Sequence, residues 1–169
     1  MMRHVCVWLI AFGVVSLVAP AVLKPHRMIV WNASASVPVG LYLLETTDER
    51  YVSELVAVVP PEPLAAFLAV GEYLPRGVPM LKHVLAGPGQ TVCREGLVVT
   101  VDKVVVGMAL ESDRQGRPLP VWQGCRVVPE DALFLMNARS VDSLDGRYFG
   151  PLPRSAVTGR AYPVWTKED

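Results

Sequence analysis

The sequence predicts a mainly β fold: an antiparallel β domain carried on one N-terminal membrane helix. Three observations predict it. Val5 to Leu23 runs nineteen residues without a charge, about the length needed to cross ~30 Å of hydrocarbon as a helix. Fifteen prolines and thirteen glycines punctuate the chain, which suits frequent turns better than a helical bundle. Between them stand short runs rich in valine, a residue that fits a pleated, half-buried surface. The expected division is an anchor with flanking charges at 1–27 and a β-rich domain at 28–169. About 145 residues are enough for one domain with its own core.

Met1 to His4 is a mildly basic head, and Lys24, His26 and Arg27 close the apolar run. Ala19-Pro-Ala21 loosely matches a leader cleavage site. The run is longer than the ~7–15 apolar residues of a typical leader, so an uncleaved anchor is expected. Arg3 and the α-amine on one side, with Lys24 and Arg27 on the other, leave orientation undecided by charge.

Met28 to Trp31 reads as a short extended entry. Leu41 to Leu44 and Leu55 to Val59 read as strands, with a polar turn at Thr46 to Arg50. Pro60-Pro-Glu-Pro63 stops the second strand, and Leu64 to Val70 is either a short helix or a loop lid. Val78 to Ala86 is the next strand, ended by Gly87-Pro-Gly89. Thr91 to Arg94 and Gly96 to Val101 continue the sheet. Asp102-Lys103 is a two-residue hairpin turn into Val104 to Val106. Ser112 to Pro120 is a polar loop. Val127, Leu133 to Met136, Arg147 to Phe149 and Val157 to Val164 supply the last strands.

The formal net charge is zero, so the basic excess of a nucleic-acid binder is missing. No His/Cys/Asp cluster has metal-ligand spacing, and no cofactor is implied. His4 and His26 flank the apolar run, so a Ser-His-Asp triad would rest on His83. On an alternating strand His83 faces away from Lys82, beside Leu81 and Leu85, which suits a structural or surface role.

Three stretches carry chemistry. The first is Asn32-Ala-Ser-Ala-Ser-Val-Pro-Val-Gly-Leu-Tyr42. A serine just before a rigid turn presents its Oγ and its backbone N–H in one direction, as an acyl-transfer nucleophile requires. Ser36 is the candidate. The second is Lys82, which shares a strand face with Met80 and Val84. Desolvation there favours the neutral amine, the form a base needs. The plainer alternative is an edge lysine that blocks aggregation. The third is Asn137-Ala-Arg-Ser-Val-Asp-Ser-Leu-Asp-Gly-Arg-Tyr-Phe-Gly-Pro151. It is either a solvated loop with an Asp145–Arg147 ion pair or the source of a hydroxyl, such as Ser143, that aims Lys82 at Ser36.

Ser36 with Pro38, Gly40 and Tyr42, then Lys82 with Gly87-Pro-Gly89, then Ser143-Leu-Asp-Gly-Arg-Tyr-Phe-Gly150 follow one another in the order of the signal peptidase I family. The sequence resembles that family over nearly its whole length, and most closely its conjugative-transfer branch, the TraF-type peptidases. The resemblance implies a signal-peptidase-like β domain and a serine endopeptidase with a Ser/Lys dyad. Ser36 matches the nucleophile and Lys82 the general base. The Ser36 N–H and Ser34 Oγ match the oxyanion donors, and Ser143 matches the hydroxyl that orients the lysine. Asp145 and Arg147 match a structural charged pair.

Two departures stand out. Val37 replaces the methionine that usually follows the nucleophile in general leader peptidases, and Gly146 stands where their last box has serine. The first favours the transfer branch, and the glycine is expected to be tolerated.

The implied partners are a membrane-tethered precursor, such as a conjugative pilin, and the lipid bilayer. The precursor would be hydrolysed or closed into a ring. The alternatives are a general signal peptidase clearing secretory precursors and a non-catalytic anchored β scaffold. A LexA-like self-cleaving switch would need a DNA-binding domain in place of the apolar run. Cys6 lies in that run. Cys93 and Cys125 lie in the β domain, where a disulfide between them is expected if the domain faces an oxidising compartment. Such a bond would put the domain on the periplasmic face of the inner membrane.

Overall fold

The computed structural model describes Trp8, Phe12, Gly13 and residues 27–46 and 52–167. Apart from those first three residues, the expected membrane helix lies outside the described part, as do Cys6 and all but the first residue of the Thr46–Arg50 turn. Among the described residues no helix is long and apolar enough to cross a membrane.

Eleven strands are described: β1 (Arg27–Asn32), β2 (Gly40–Glu45), β3 (Leu55–Val58), β4 (Met80–Ala86), β5 (Thr91–Glu95), β6 (Val98–Val101), β7 (Val104–Met108), β8 (Gly124–Val127), β9 (Ala132–Leu135), β10 (Leu152–Pro153) and β11 (Val157–Thr166). Helix α1 spans Leu64–Val70 and α2 spans Gly146–Phe149. The strands form a seven-stranded sheet in the order β1-β2-β11-β3-β4-β9-β10 and a four-stranded sheet in the order β7-β6-β5-β8. Neighbouring strands in both are antiparallel.

Alternation sets the faces of the large sheet. In β2, Tyr42 and Leu44 turn inward and pack with Val37, Ala57, Leu81 and Ala161. On the opposite face, Val56, Val58 and Val84 pack under Leu64 and Leu68 of α1. The segment Leu64–Val70 therefore resolves to a helix rather than a lid, because its apolar side covers this core. Glycine is required at Gly40, where an added Cβ would stand 2.2 Å from Trp165 O. That contact is backbone, so β2 and β11 meet too closely there for any side chain.

Sequence reasoning continued one sheet through Thr91–Val101, but these residues belong to a second sheet. After the Gly87-Pro-Gly89 turn, β5 pairs with β6 and β8 instead of returning to β4. Asp102 and Lys103 form the expected hairpin turn, with φ of 47° and 69°, the positive values a tight two-residue turn needs. Arg147–Phe149, expected as a strand, is helical. Asp145 accepts the Arg147 N–H and caps the turn, which satisfies a donor that a helix start otherwise leaves bare. Cys93 and Cys125 are register partners across β5 and β8 and form a disulfide.

Candidate active site

The loop between β1 and β2 carries Ser34 and Ser36. Asn32, at the end of β1 and buried, reaches into this loop. Its Nδ2 lies 2.8, 3.2 and 3.0 Å from the carbonyl oxygens of Ser34, Val37 and Pro38. Its Oδ1 accepts from Ser34 N at 3.2 Å and from Ser34 Oγ at 3.1 Å. Ser34 Oγ lies 3.1 Å from Ser36 Oγ. Tyr42 anchors the far end of the loop by donating from its hydroxyl to Pro38 O at 2.7 Å.

Lys82 sits on β4 opposite Val56 of β3, on the face it shares with Met80 and Val84. It is only 5% exposed, and its Nζ donates to Ser143 Oγ at 2.7 Å. Burial pushes the ammonium down from 10.5 to about 8. The nearby Asp145 carboxylate opposes the fall and the Arg147 guanidinium adds to it. An amine near 8 is partly neutral at ordinary pH, so it is chemically able to take a proton.

The loop after β9 holds Ser143 in place. Arg147 is 1% exposed and donates from Nη2 to Ser140 O at 2.6 Å and to Ser143 O at 3.1 Å. Its Nε and Nη2 grip the two oxygens of Asp145, each at 2.9 Å. This pair is buried on both sides, and the carboxylate also accepts from Asn137 N at 3.1 Å. The charge that carbonyls gather around is thus neutralised where it sits.

Gly146 lies between the two partners. An added Cβ there would stand 2.6 Å from the Phe134 ring and 2.8 Å from Leu135 O. Glycine at this position is therefore a packing requirement of this chain.

Two asparagines had no assigned role at the sequence level. Asn32 is one. The other, Asn137, donates from Nδ2 to Leu81 O at 3.0 Å and accepts from His83 N at 3.1 Å. It therefore grips the peptide groups on either side of Lys82. His83 Nδ1 is 3.0 Å from the same Oδ1, which places His83 in a structural contact. An asparagine two residues before a serine is a local Asx-turn signal, which could have singled out Asn32. Asn137 had no comparable local signal.

Ser34, Ser36, Lys82 and Ser143 all line one cleft of about 640 Å³. Apolar walls come from Leu68, Leu74, Met80 and Leu144. At the rim, Arg114 pairs with Asp142. Among the described residues, the hydrogen bond Lys82 makes goes to Ser143 and not to Ser36. The disulfide lies away from this cleft, on the small sheet. No cluster of His, Cys, Asp and Glu among the described residues could hold a metal.

Comparison with known proteins gives the family. The chain is 35% identical over 144 residues to the conjugal transfer protein TraF of Agrobacterium fabrum, covering 80% of this chain and 81% of that one. It is 37% identical over 147 residues to a probable conjugal transfer protein TraF of Sinorhizobium fredii, covering 80% and 76%. A plasmid transfer protein TraF of Escherichia coli is 32% identical over 146 residues, covering 80% and 81%. Among solved structures, a signal peptidase I from Enterococcus faecalis V583 aligns with a TM-score of 0.41 and 17% identity, over 68% of this chain and 98% of that one. The family model described as "Signal peptidase, peptidase S26" matches residues 1–166. The chain therefore belongs to the peptidase S26 family of signal peptidases.

Proposed function

We propose that this protein is a membrane-anchored serine endopeptidase in which Ser36 is the nucleophile and Lys82 its base, and that it processes a conjugative pilin precursor. The observation that carries the reading is the state of Lys82. It is a lysine almost without solvent, lowered to about 8 and aimed by a hydroxyl, on the wall of the cleft that Ser36 also lines.

The chemistry follows from these groups. Neutral Lys82 takes the proton as Ser36 Oγ bonds to the scissile carbonyl carbon. The oxyanion is met by the Ser36 N–H and the Ser34 hydroxyl, donors that act strongly where water is excluded. The Lys82 ammonium gives its proton to the departing amine, the C–N bond breaks, and an ester to Ser36 remains. Lys82 then deprotonates the second nucleophile. Water in that place completes hydrolysis, whereas the substrate's own α-amine closes a ring.

Several features support the substrate and the setting. On one side of β4, Asn137 occupies Leu81 O and His83 N and strand β9 pairs further along at Val84 and Ala86, so the edge that an extended peptide can lengthen is the short start of β4 before Leu81 O. The relatives carry the names of conjugal and plasmid transfer proteins. Ile29, Trp31 and Trp165 are exposed on the outer side of the sheet, and the two indoles stack 5.9 Å apart. Strand β1 starts four residues after Leu23, so this apolar face would lie against the bilayer where a tethered precursor arrives. The disulfide fits a periplasmic catalytic domain.

The test is mass spectrometry of a candidate pilin precursor before and after incubation with the purified full-length protein. The expected result is a defined cut that is lost in Ser36→Ala and in Lys82→Ala. A product mass without added water means ring closure. Cleavage by Lys82→Ala at the wild-type rate would remove the dyad.

A further inference from the structure

We infer that Asn32 is the positioning residue of the serine loop, acting through Ser34 to set which way the hydroxyl protons point. This inference rests on the Ser/Lys reading above.

The three carbonyls around Nδ2 settle which end of the Asn32 side chain is nitrogen. Two N–H hydrogens serve three acceptors, so one is shared. The other end, Oδ1, is an acceptor only, and it takes both the Ser34 N–H and the Ser34 O–H. Ser34 has a single hydroxyl hydrogen, and that hydrogen is committed to Asn32. In the 3.1 Å contact between the two serines, Ser34 Oγ can therefore only accept, and Ser36 must donate. The order is Ser36 O–H to Ser34 O–H to Asn32 Oδ1.

The direction has a consequence for the resting protein. The proton of the nucleophile is held by Ser34, while the hydrogen bond of Lys82 goes to Ser143. Attack requires two exchanges. The Ser34 hydrogen leaves Asn32 for the substrate's carbonyl oxygen, and the Ser36 hydrogen leaves Ser34 for the Lys82 amine. The arriving carbonyl supplies the acceptor that starts both. Asn32 thus shapes the loop that presents the oxyanion donors and keeps nucleophile and base uncoupled until a peptide fills the cleft.

The experiment counts competent sites with a serine-directed phosphonofluoridate and measures kcat per titrated site on a precursor peptide. Asn32→Ala should lower kcat per titrated site about 10²-fold, the scale of an ångström-sized misplacement, with KM nearly unchanged. In a Ser34→Ala background the same substitution should cost less than about tenfold, because the relay it serves is already gone. If Asn32→Ala yields too little folded protein, Asn32→Ser is read in the same way, since serine also suits a turn.

Fewer titratable sites with an unchanged kcat per site would mean a merely structural asparagine and would overturn the inference. A full, multiplicative loss on top of Ser34→Ala would overturn it too. Both outcomes leave the peptidase reading standing. That reading fails separately, if the wild type is inactive or Ser36→Ala remains active.

Discussion

Lys82 and Ser143 stand 61 residues apart in sequence, yet Lys82 Nζ donates to Ser143 Oγ at 2.7 Å. That bond commits one hydrogen of the amine to a fixed acceptor and so leaves its lone pair two staggered directions once the group is neutral. A lysine free to rotate would lose that restriction.

Activity should follow the neutral fraction of this amine. Below about 8 the group is charged and cannot accept a proton, so kcat/KM should rise with pH and level off above that value. Asp145 holds the Lys82 value up, so Asp145→Asn should move the half-maximum to lower pH. A pH profile of kcat/KM in both proteins checks this, and a profile flat across pH 8 in the wild type would count against Lys82 as the base.

Stability should show the same group with its own sign. Below about pH 8 Lys82 is charged in both the folded and the unfolded chain, and the folded chain bears the cost of its burial. Between 8 and 10.5 the folded lysine is neutral while the unfolded one stays charged, so the stability of the folded state rises with pH. Above 10.5 the cost is gone. Lys82→Met should therefore be more stable than wild type by about 3 kcal/mol near neutral pH, with the gain fading toward pH 10.5. Urea unfolding at several pH values measures it.

Placing the serine of general leader peptidases at Gly146 should destabilise this chain. The Cβ would press on the Phe134 ring at 2.6 Å and on Leu135 O at 2.8 Å. Gly146→Ser should cost about 1–3 kcal/mol, the usual range for overpacking. In a Phe134→Leu background, which opens space at the ring, the same substitution should cost less than it does in the wild type. Thermal unfolding of the single and double variants provides the comparison.

Reducing the Cys93–Cys125 bond should lower stability by about 3–4 kcal/mol, the loop-closure value for a separation of this order; here it is 32 residues. Because the cross-link is on the small sheet, away from the cleft, kcat at a temperature where the reduced protein stays folded should change little. Unfolding and activity with and without reductant test both halves.

The catalytic candidates carry local signals, though these left Lys82 open to an edge role and residues 137–151 open to a solvated loop, and the structure buries both Lys82 and Ser143. Ser36 precedes a Pro-x-Gly turn, Lys82 interrupts an apolar strand face, and Ser143, Asp145 and Arg147 crowd eleven residues that also hold Asn137. The Asp102-Lys103 hairpin was legible for the same reason. The division into two sheets was not, because strand pairing is decided by partners far away in sequence. Residues 147–149 read as strand-prone, but the Asp145 cap and the close approach of Gly146 to Phe134 impose a helical turn. The grip of Asn137 on Leu81 and His83 depends on β4 and the loop after β9 meeting in space. No local pattern announces that.

Strand β11, the last of these strands in chain order, lies between β2, which follows the serine loop, and β3, which leads to the lysine strand. The two earlier strands do not touch as sheet neighbours; the late arrival joins them. The serine loop lies in the β1-β2 hairpin and Lys82 in the β3-β4 pair, and β11 is the strand that ladders to both. The register between the two halves of the cleft therefore depends on the last of the described strands to enter the sheet.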